Sequence, residues 1–359
     1  RERVRYEFSM ADLGTLLHNS LDLFAKKVRE QGMKWVDLED GPRDALAEAC
    51  VDEVVEKSGE TILLSSARNA YTVNRAKRMV KRSVWALQWQ LKQGDFYPAL
   101  TEWAFGPADK IDSLHFSLGE GEELQLRGRI DRVDVCRGED NQLYVKVIDY
   151  KSGATKLDLL KVYYGLQLQL ALYLGAAMEL EAKRFPQNQV KPAGIFYYNV
   201  KDPVLNQEDV KDPEHPEMDI LKKLKMDGLA GAEPEILEKL DRNLAAAKGV
   251  ESLAVPVKYT AKGGFASNSK VASQEQFGDM MWYVNCKAKE IGGKILGNTE
   301  VNPFEQQKEN ACVYCPYRSV CGFDEKIPGY RYRRLVPYKT EEIWEKLKEY
   351  RENPEKGEV

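Results

Sequence analysis

Two hydrophobic rhythms alternate along the chain, and the switches between them mark its elements. From Ser9 onward, Leu13, Leu17, Leu21, Phe24 and Val28 recur at steps of three and four. That spacing predicts an amphipathic helix with Ser9 as N-cap and Asp12 in its acidic first turn. His18 lies beside the apolar stripe. Residues 40–95 read as largely helical, with Val73, Ala76, Val80, Val84, Leu87 and Leu91 on one face and Arg75, Arg78 and Arg82 on another, Lys77 and Lys81 lying between the arginines. Residues 98–106 and 112–118 read as short strands. Residues 123–136, ELQLRGRIDRVDVC, then alternate apolar and polar, the turn RGEDNQ follows, and LYVKVIDYKSG alternates again up to Gly153. This is a predicted hairpin. Asp131 and Asp149 lie nine residues to either side of Asp140, so a symmetric hairpin sets them across from each other within about one residue.

Beyond the hairpin the pattern predicts a long helix over 157–182, a buried strand over 192–200, helices near 217–225 and 233–247, and a strand at 253–260. Ser273 and Gln276 form a capping-box pattern opening a helix to about Ile291, and a last helix covers 340–351.

Composition narrows the class. The 359 residues are 43% hydrophobic and 31% charged, enough for a full core and room for a second lobe. No stretch approaches the roughly 20 apolar residues of a membrane helix, so no membrane partner is expected. The charged opening RERVRYEFSM is not a secretory leader, and a chain that begins at Arg1 inside a folding segment is expected to be a fragment of something longer. The net charge of −4 gives no global argument for nucleic acid. The basic helix face fits a solvated surface as well as a phosphate-tracking one. Of the six cysteines, Cys312, Cys315 and Cys321 fall within ten residues, which favours metal binding in a reducing compartment over a disulfide framework.

Asp149 and Lys151 are two apart on a strand and therefore share a face, and Asp131 comes from the neighbouring strand. Paired carboxylates repel unless a cation holds them, and Mg²⁺ takes one or two carboxylates together with waters and phosphate oxygens. Phosphodiester hydrolysis needs an activated water, a Lewis acid and charge stabilisation, which two aspartates with a lysine can organise. Asp-x-Lys alone is common on surface hairpins. Here the strand is apolar on its other face and breaks at Gly153, which argues against a plain surface strand. Gln169 and Tyr173 form an i, i+4 pair, more often a buried polar contact than a catalytic element. Cys312-x2-Cys315-x5-Cys321 is a metal–thiolate pattern one sulfur short of four, and His115 and His215 are far from it in sequence.

In order, His18 in LLHNSLDLF, then GRIDRVD, IDYKSG and QLALY resemble the RecB-like branch of the PD-(D/E)xK nucleases. The resemblance implies an α/β (α+β) restriction-endonuclease-like core, a central mixed β-sheet flanked by helices, with helical additions and a C-terminal cysteine segment. It implies His18, Asp131, Asp149 and the backbone carbonyl of Tyr150 as ligands of Mg²⁺ or Mn²⁺. Lys151 is then the catalytic lysine, with Gln169 and Tyr173 supporting the site and contacting DNA. Glu102 in EWAFG stands where related nucleases place another acidic residue.

Within that branch, PAGIFYYNVKDP, KMDGLAG, IGGKILGNTEVNPF and FDEKIPGYRYRRL are similar to the C-terminal part of AddB-type helicase–nuclease proteins. Those hold a 4Fe–4S cluster with three cysteines after the nuclease motifs and one before them. The implied ligands are Cys312, Cys315 and Cys321, with the fourth upstream of this segment and the cluster incomplete without it. Cys50, Cys136 and Cys286 do not match the early ligand; Cys136 and Cys286 are read as small core residues. The implied organisation is a nuclease core over 1–200, a family-specific insertion over 201–300 whose helices complete the core, and an iron–sulfur segment with tail over 301–359. The implied activity is a DNA exonuclease acting on single-stranded ends beside an AddA-type helicase–nuclease partner, during resection and recombinational repair of double-strand breaks in the bacterial cytoplasm. Strand contacts are expected from Arg75, Arg78, Arg82, Tyr163 and Tyr164. The rival readings are a stand-alone CRISPR-associated-type Fe–S exonuclease, which is shorter between Tyr173 and Cys312, a non-catalytic metal-stapled DNA-binding module, and a zinc-stapled interaction domain.

Overall fold

The N-terminal apolar stripe forms α1 (Met10–Glu30), with Leu13, Leu17, Leu21, Phe24 and Val28 all buried. The computed structural model describes residues 10–57, 67–106, 111–119, 121–210, 213–297, 301–306, 309–313 and 315–353. The expected N-cap, Ser9, lies outside the described residues. Helices α2 (Asp40–Lys57) and α3 (Ala67–Gln93) follow, and α3 buries Val73, Ala76, Val80, Val84, Leu87 and Leu91 as its spacing predicts. Gln88, buried on α3, donates to the carbonyls of Trp35 and Leu38 and accepts from Arg43, tying the connection between α1 and α2 to α3.

The chain divides into two compact units: one through Ile111 with Arg127–Leu157 and Tyr173–Phe277, the other Asp112–Leu126, Asp158–Leu172 and Gly278 onward. After α3 the chain runs through β1 (Tyr97–Phe105), β2 (His115–Gly119), β3 (Glu122–Gln125), β4 (Gly128–Arg137) and β5 (Gln142–Lys151). Next come α4 (Leu159–Tyr163), α5 (Gln169–Arg184), β6 (Gln189–Asn199), α6 (Pro216–Lys223), β7 (Asp227–Gly231) and α7 (Pro234–Leu240). The remainder is β8 (Val271–Ala272), α8 (Gln274–Leu296), β9 (Phe304–Gln306), β10 (Glu309–Asn310), α9 (Arg318–Cys321), β11 (Arg333–Arg334) and α10 (Thr340–Glu352).

The first unit is built on a six-stranded mixed sheet, ordered β1-β4-β5-β6-β7-β8. Within this sheet β5–β6 and β7–β8 are parallel and the other pairs antiparallel. The predicted hairpin is β4–β5, in the register Arg132↔Ile148 to Arg137↔Leu143. Its turn is sharp because Asp140 and Asn141 both take positive φ, 48° and 59°, which aspartate and asparagine tolerate better than most residues. One face of the sheet, through Cys136, Tyr144, Ile148, Tyr150, Phe196 and Tyr198, shares a hydrophobic core with α1, α2 and α3. In the second unit β2 and β3 form a two-stranded ribbon, and β10-β9-β11 a small three-stranded sheet.

Several boundaries differ from expectation. The strand expected over 123–136 is two strands in different sheets, interrupted at Leu126, whose amide bonds to Leu114 instead. Gly128 restarts the main sheet where a Cβ would lie 2.7 Å from the Phe105 ring, so a side chain there would not fit. The helix expected over 157–182 breaks at Gly165, which takes φ of +77°, between α4 and α5. Continuous apolar spacing hides that break. The helix expected over 233–247 stops at Leu240, where the Asp241 carboxylate accepts from Asn243 and starts a 3-10 turn. Residues 253–260 form no strand among the described residues, only isolated bridges pairing Glu251 with Lys258 and Tyr259 with Phe265. The capping box at Ser273 forms in full, each partner's side chain bonding the other's amide, and α8 continues past Ile291 to Leu296.

Strand β7 was not foreseen because DGLAG carries two glycines. The structure explains one of them. A Cβ on Gly228 would lie 2.0 Å from the Ile195 carbonyl oxygen of the paired strand. Gly228→Ala is therefore expected to destabilise the fold by about 2 kcal/mol or more, read as a lower urea midpoint; an unchanged midpoint would refute the close approach.

Candidate active site

Register sets four side chains in one row across four strands. Thr101↔Arg132 and Trp103↔Ile130 bracket Glu102 opposite Asp131. One step beyond the pair Arg132↔Ile148, Asp131 faces Asp149. Asp149 in turn pairs with Tyr197. Glu102 takes φ of 47°, a left-handed conformation inside a strand that costs about 1–3 kcal/mol and re-aims its side chain.

Asp131 is the hub. Its Oδ2 accepts from the Tyr150 amide at 2.5 Å and lies 3.3 Å from Nδ1 of His18. Ligand atoms of His18, Glu102 and Asp131 all fall within 4.8 Å of one another. The His18 ring meets Tyr150 edge-on at 6.2 Å. One turn earlier on α1, Gly14 lets the helix pass Ser152, whose Oγ would sit 3.3 Å from a Cβ there. Asp149 stands beside this trio, with Lys151 Nζ 2.5 Å from its Oδ2 and 5.4 Å above the Tyr197 ring.

The donor set fits a divalent cation. Both Glu102 oxygens and Asp149 Oδ2 are buried without a well-directed hydrogen bond. Arg129 Nε approaches Glu102 at 2.6 Å, as Lys151 does Asp149, but neither contact has hydrogen-bond geometry. These pairs leave the mutual repulsion of Glu102, Asp131 and Asp149, which a further cation would offset.

Their proton affinities record the strain. Burial, then the Asp131 charge, pushes Glu102 up to about 7. Burial and Asp131 likewise push Asp149 up to about 6, against the pull of Lys151. Burial works to lower the His18 pKa, but the hydrogen bond and charge of Asp131, with Asp149 and Glu102, raise it overall. All three groups bind protons more tightly folded than unfolded. The metal-free protein should therefore gain stability from them as pH falls through about 7 and 6, saturating below the unfolded carboxylate range. Divalent-ion affinity should run the opposite way, weakening as pH falls, because ligands must shed protons. Urea melts in EDTA and Mn²⁺ titrations from pH 8 to 5 check both signs; parallel trends would refute the assignment.

Other residues singled out from the sequence fall as follows. Gln169 opens α5, and Tyr173 lies one turn on, packing edge-on against Phe105 at 5.8 Å and raising, after burial and Asp149, the pKa of Tyr197. All six cysteines are free, with Cys50 and Cys136 buried. The Cys315 amide bonds back to the Cys312 carbonyl, and Cys321 ends α9. Tyr163 and Tyr164 are only 5% and 8% exposed, too buried to stack on bases. Tyr163 instead stacks on Tyr283, whose hydroxyl donates to its carbonyl. Arg78 and Arg82 both approach Asp202, while Lys77 and Lys81 pair with Asp52 and Glu48, so much of the basic face of α3 is already neutralised. Sequence reasoning placed Glu102 only by resemblance; its sole local signal is an acidic side chain in a strand-like run.

The sequence matches the family described as the PD-(D/E)XK nuclease superfamily over residues 1–322. The chain belongs to that superfamily. It is similar to the B subunit of the ATP-dependent helicase/deoxyribonuclease of Lachnoclostridium phytofermentans, 40% identical over 353 residues, covering 97% of this chain and 29% of that protein. The corresponding protein of Alkaliphilus metalliredigens is 37% identical over 349 residues, and that of Clostridium perfringens strain SM101 34% over 350, each covering 97% of this chain and 30% of the relative. The chain thus spans under a third of the length of these relatives. As a PD-(D/E)XK chain homologous to these helicase/deoxyribonuclease proteins, it is of a nuclease type, and the mixed six-stranded sheet flanked by helices is the core expected from the sequence.

Proposed function

We propose that this chain hydrolyses DNA phosphodiester bonds with a divalent ion, Mg²⁺ or Mn²⁺, as the nuclease of a helicase–nuclease complex. The observation that carries the reading is the convergence of His18, Glu102 and Asp131 beside the Asp149–Lys151 pair, with buried acidic oxygens that lack well-directed hydrogen bonds. His18, Glu102, Asp131, Asp149 and the Tyr150 carbonyl are the residues that would hold the ion. When bound, it would supply Lewis acidity and a water of lowered pKa. The protein does the rest. Asp131 is oriented by the Tyr150 amide. Lys151 places its ammonium where it can steady the attacking water or the charge growing on the phosphoryl oxygens. Tyr173 would support the site and contact the strand.

Binding of a single strand should weaken steeply with salt. Exonuclease action on single-stranded ends, an AddA-type partner, a role in double-strand-break resection and a cytoplasmic setting all extend the reading from relatives named for an ATP-dependent helicase/deoxyribonuclease. Among the described residues, no helix is long and apolar enough to cross a membrane.

Cys312, Cys315 and Cys321 fit three thiolates of a 4Fe–4S cluster, with the fourth supplied from outside this segment. A four-iron cluster spreads its thiolates over separate irons. Iron analysis of the anaerobically prepared full-length protein tests this: zinc without iron would overturn it. The nuclease reading is tested with end-labelled single-stranded DNA, Mg²⁺ and the full-length protein. Products that vanish with EDTA are expected, and no metal-dependent product, with or without the helicase partner, would sink it.

A further inference from the structure

Directly behind the carboxylate row, on the other face of β4 and β5, three charges are sealed in the core. Arg132 is 1% exposed, Asp134 0% and Lys146 6%. Arg132 grips Asp134 with two hydrogen bonds, Nε to Oδ1 at 2.6 Å and Nη2 to Oδ2 at 2.8 Å. Lys146, paired with Asp134 across the ladder, sets its Nζ 3.3 Å from the same Oδ2. The cations also lie over aromatic faces, Arg132 5.2 Å from the Trp35 ring and Lys146 4.7 Å from Phe96.

Such a triad is a poor way to gain stability. Desolvating three charges offsets their attraction, and apolar residues of similar volume are often neutral or stabilising in its place. What it does provide is register. A slip of one residue between β4 and β5 would carry Arg132 and Asp134 to the opposite face, away from Lys146. Asp131 and Asp149 stand one step past the last pair of that ladder, so their alignment inherits whatever fixes it. Tyr150 links the two faces. Its side chain lies on the triad's face of the ladder, diagonal to Arg132, while its amide donates to Asp131 and its ring meets His18.

We propose that the Arg132–Asp134–Lys146 triad, acting through Tyr150, is a positioning device that levels Asp131 with Asp149 and holds His18 against Asp131. Its consequence for a bound cation rests on the metal-dependent reading above; its effect on the Tyr150–Asp131 hydrogen bond does not.

Two variants of the full chain test it, R132M/D134L/K146M and Tyr150→Phe. In the metal-free protein, hydrogen exchange at the position-150 amide should accelerate at least about tenfold in each. With Mn²⁺ as probe, followed by electron paramagnetic resonance, affinity should fall about 10-fold or more, the range seen when groups behind metal ligands are removed. The triple variant should melt no lower than the parent. Parental exchange and parental Mn²⁺ affinity in the folded variants overturn the proposal. If the triple variant does not fold, Tyr150→Phe alone decides by the same two readouts. If the parent itself shows no His18-dependent Mn²⁺ binding, the metal reading fails, while the exchange measurement still judges the positioning role.

Discussion

Asp149→Asn is expected to reduce Mg²⁺-dependent DNA cleavage by about 10²–10³-fold or more, while making the metal-free fold more stable. The first half follows from the row. Asp149 is the carboxylate that stands between Asp131 and the Lys151 ammonium, and its amide keeps the shape but loses the charge. The second half follows from electrostatics. Burial and the neighbouring Asp131 raise the Asp149 pKa from 3.8 to about 6, so the ionised group works against folding at neutral pH. That net difference, which already includes the pull of Lys151, converts to a gain on the order of 1–3 kcal/mol. Cleavage rates of purified variant and parent, with urea melts in EDTA, measure both. A variant that cuts at the parental rate would remove Asp149 from the chemistry. One that is inactive and less stable would show the residue to be chiefly structural.

Asp134→Ala should do the reverse, destabilising the fold by about 3–5 kcal/mol, because Arg132 and Lys146 would remain buried without their shared counter-charge. That is a large share of the roughly 5–15 kcal/mol typical of a domain. The Arg132 guanidinium has little escape, since Nη1 is already buried without an acceptor. Chemical denaturation of the parent and variant gives the number. A loss under about 1 kcal/mol would mean that water or a backbone rearrangement reaches the cations.

The β4–β5 hairpin was legible from alternation and a central turn, because both are local. So was α1, whose stripe depends only on 3.6-residue spacing. The buried triad was not. Alternating polar residues normally mark a strand with one wet face, yet here the polar face of β4 is sealed by Trp35, Phe96 and the helices behind it. That outcome depends on what packs against the strand, and spacing within the strand does not encode it. Glu102 was equally hidden: its place beside His18 and Asp131 comes from a left-handed residue in β1 and the pairing with β4. Likewise the break at Gly165 needed its positive φ, since a helical interior tolerates the same glycine at modest cost.

His18 and Asp131 touch although they stand 113 residues apart along the chain. Synthesis delivers the histidine early and the aspartates much later, at 131 and 149, followed by the strand bearing Tyr197. A ribosome-bound chain therefore carries no assembled cutting centre until β4 and β5 have emerged and paired. Contacts of such long range also form late in folding. Under the proposed function, a partly synthesised chain therefore holds an incomplete ligand set.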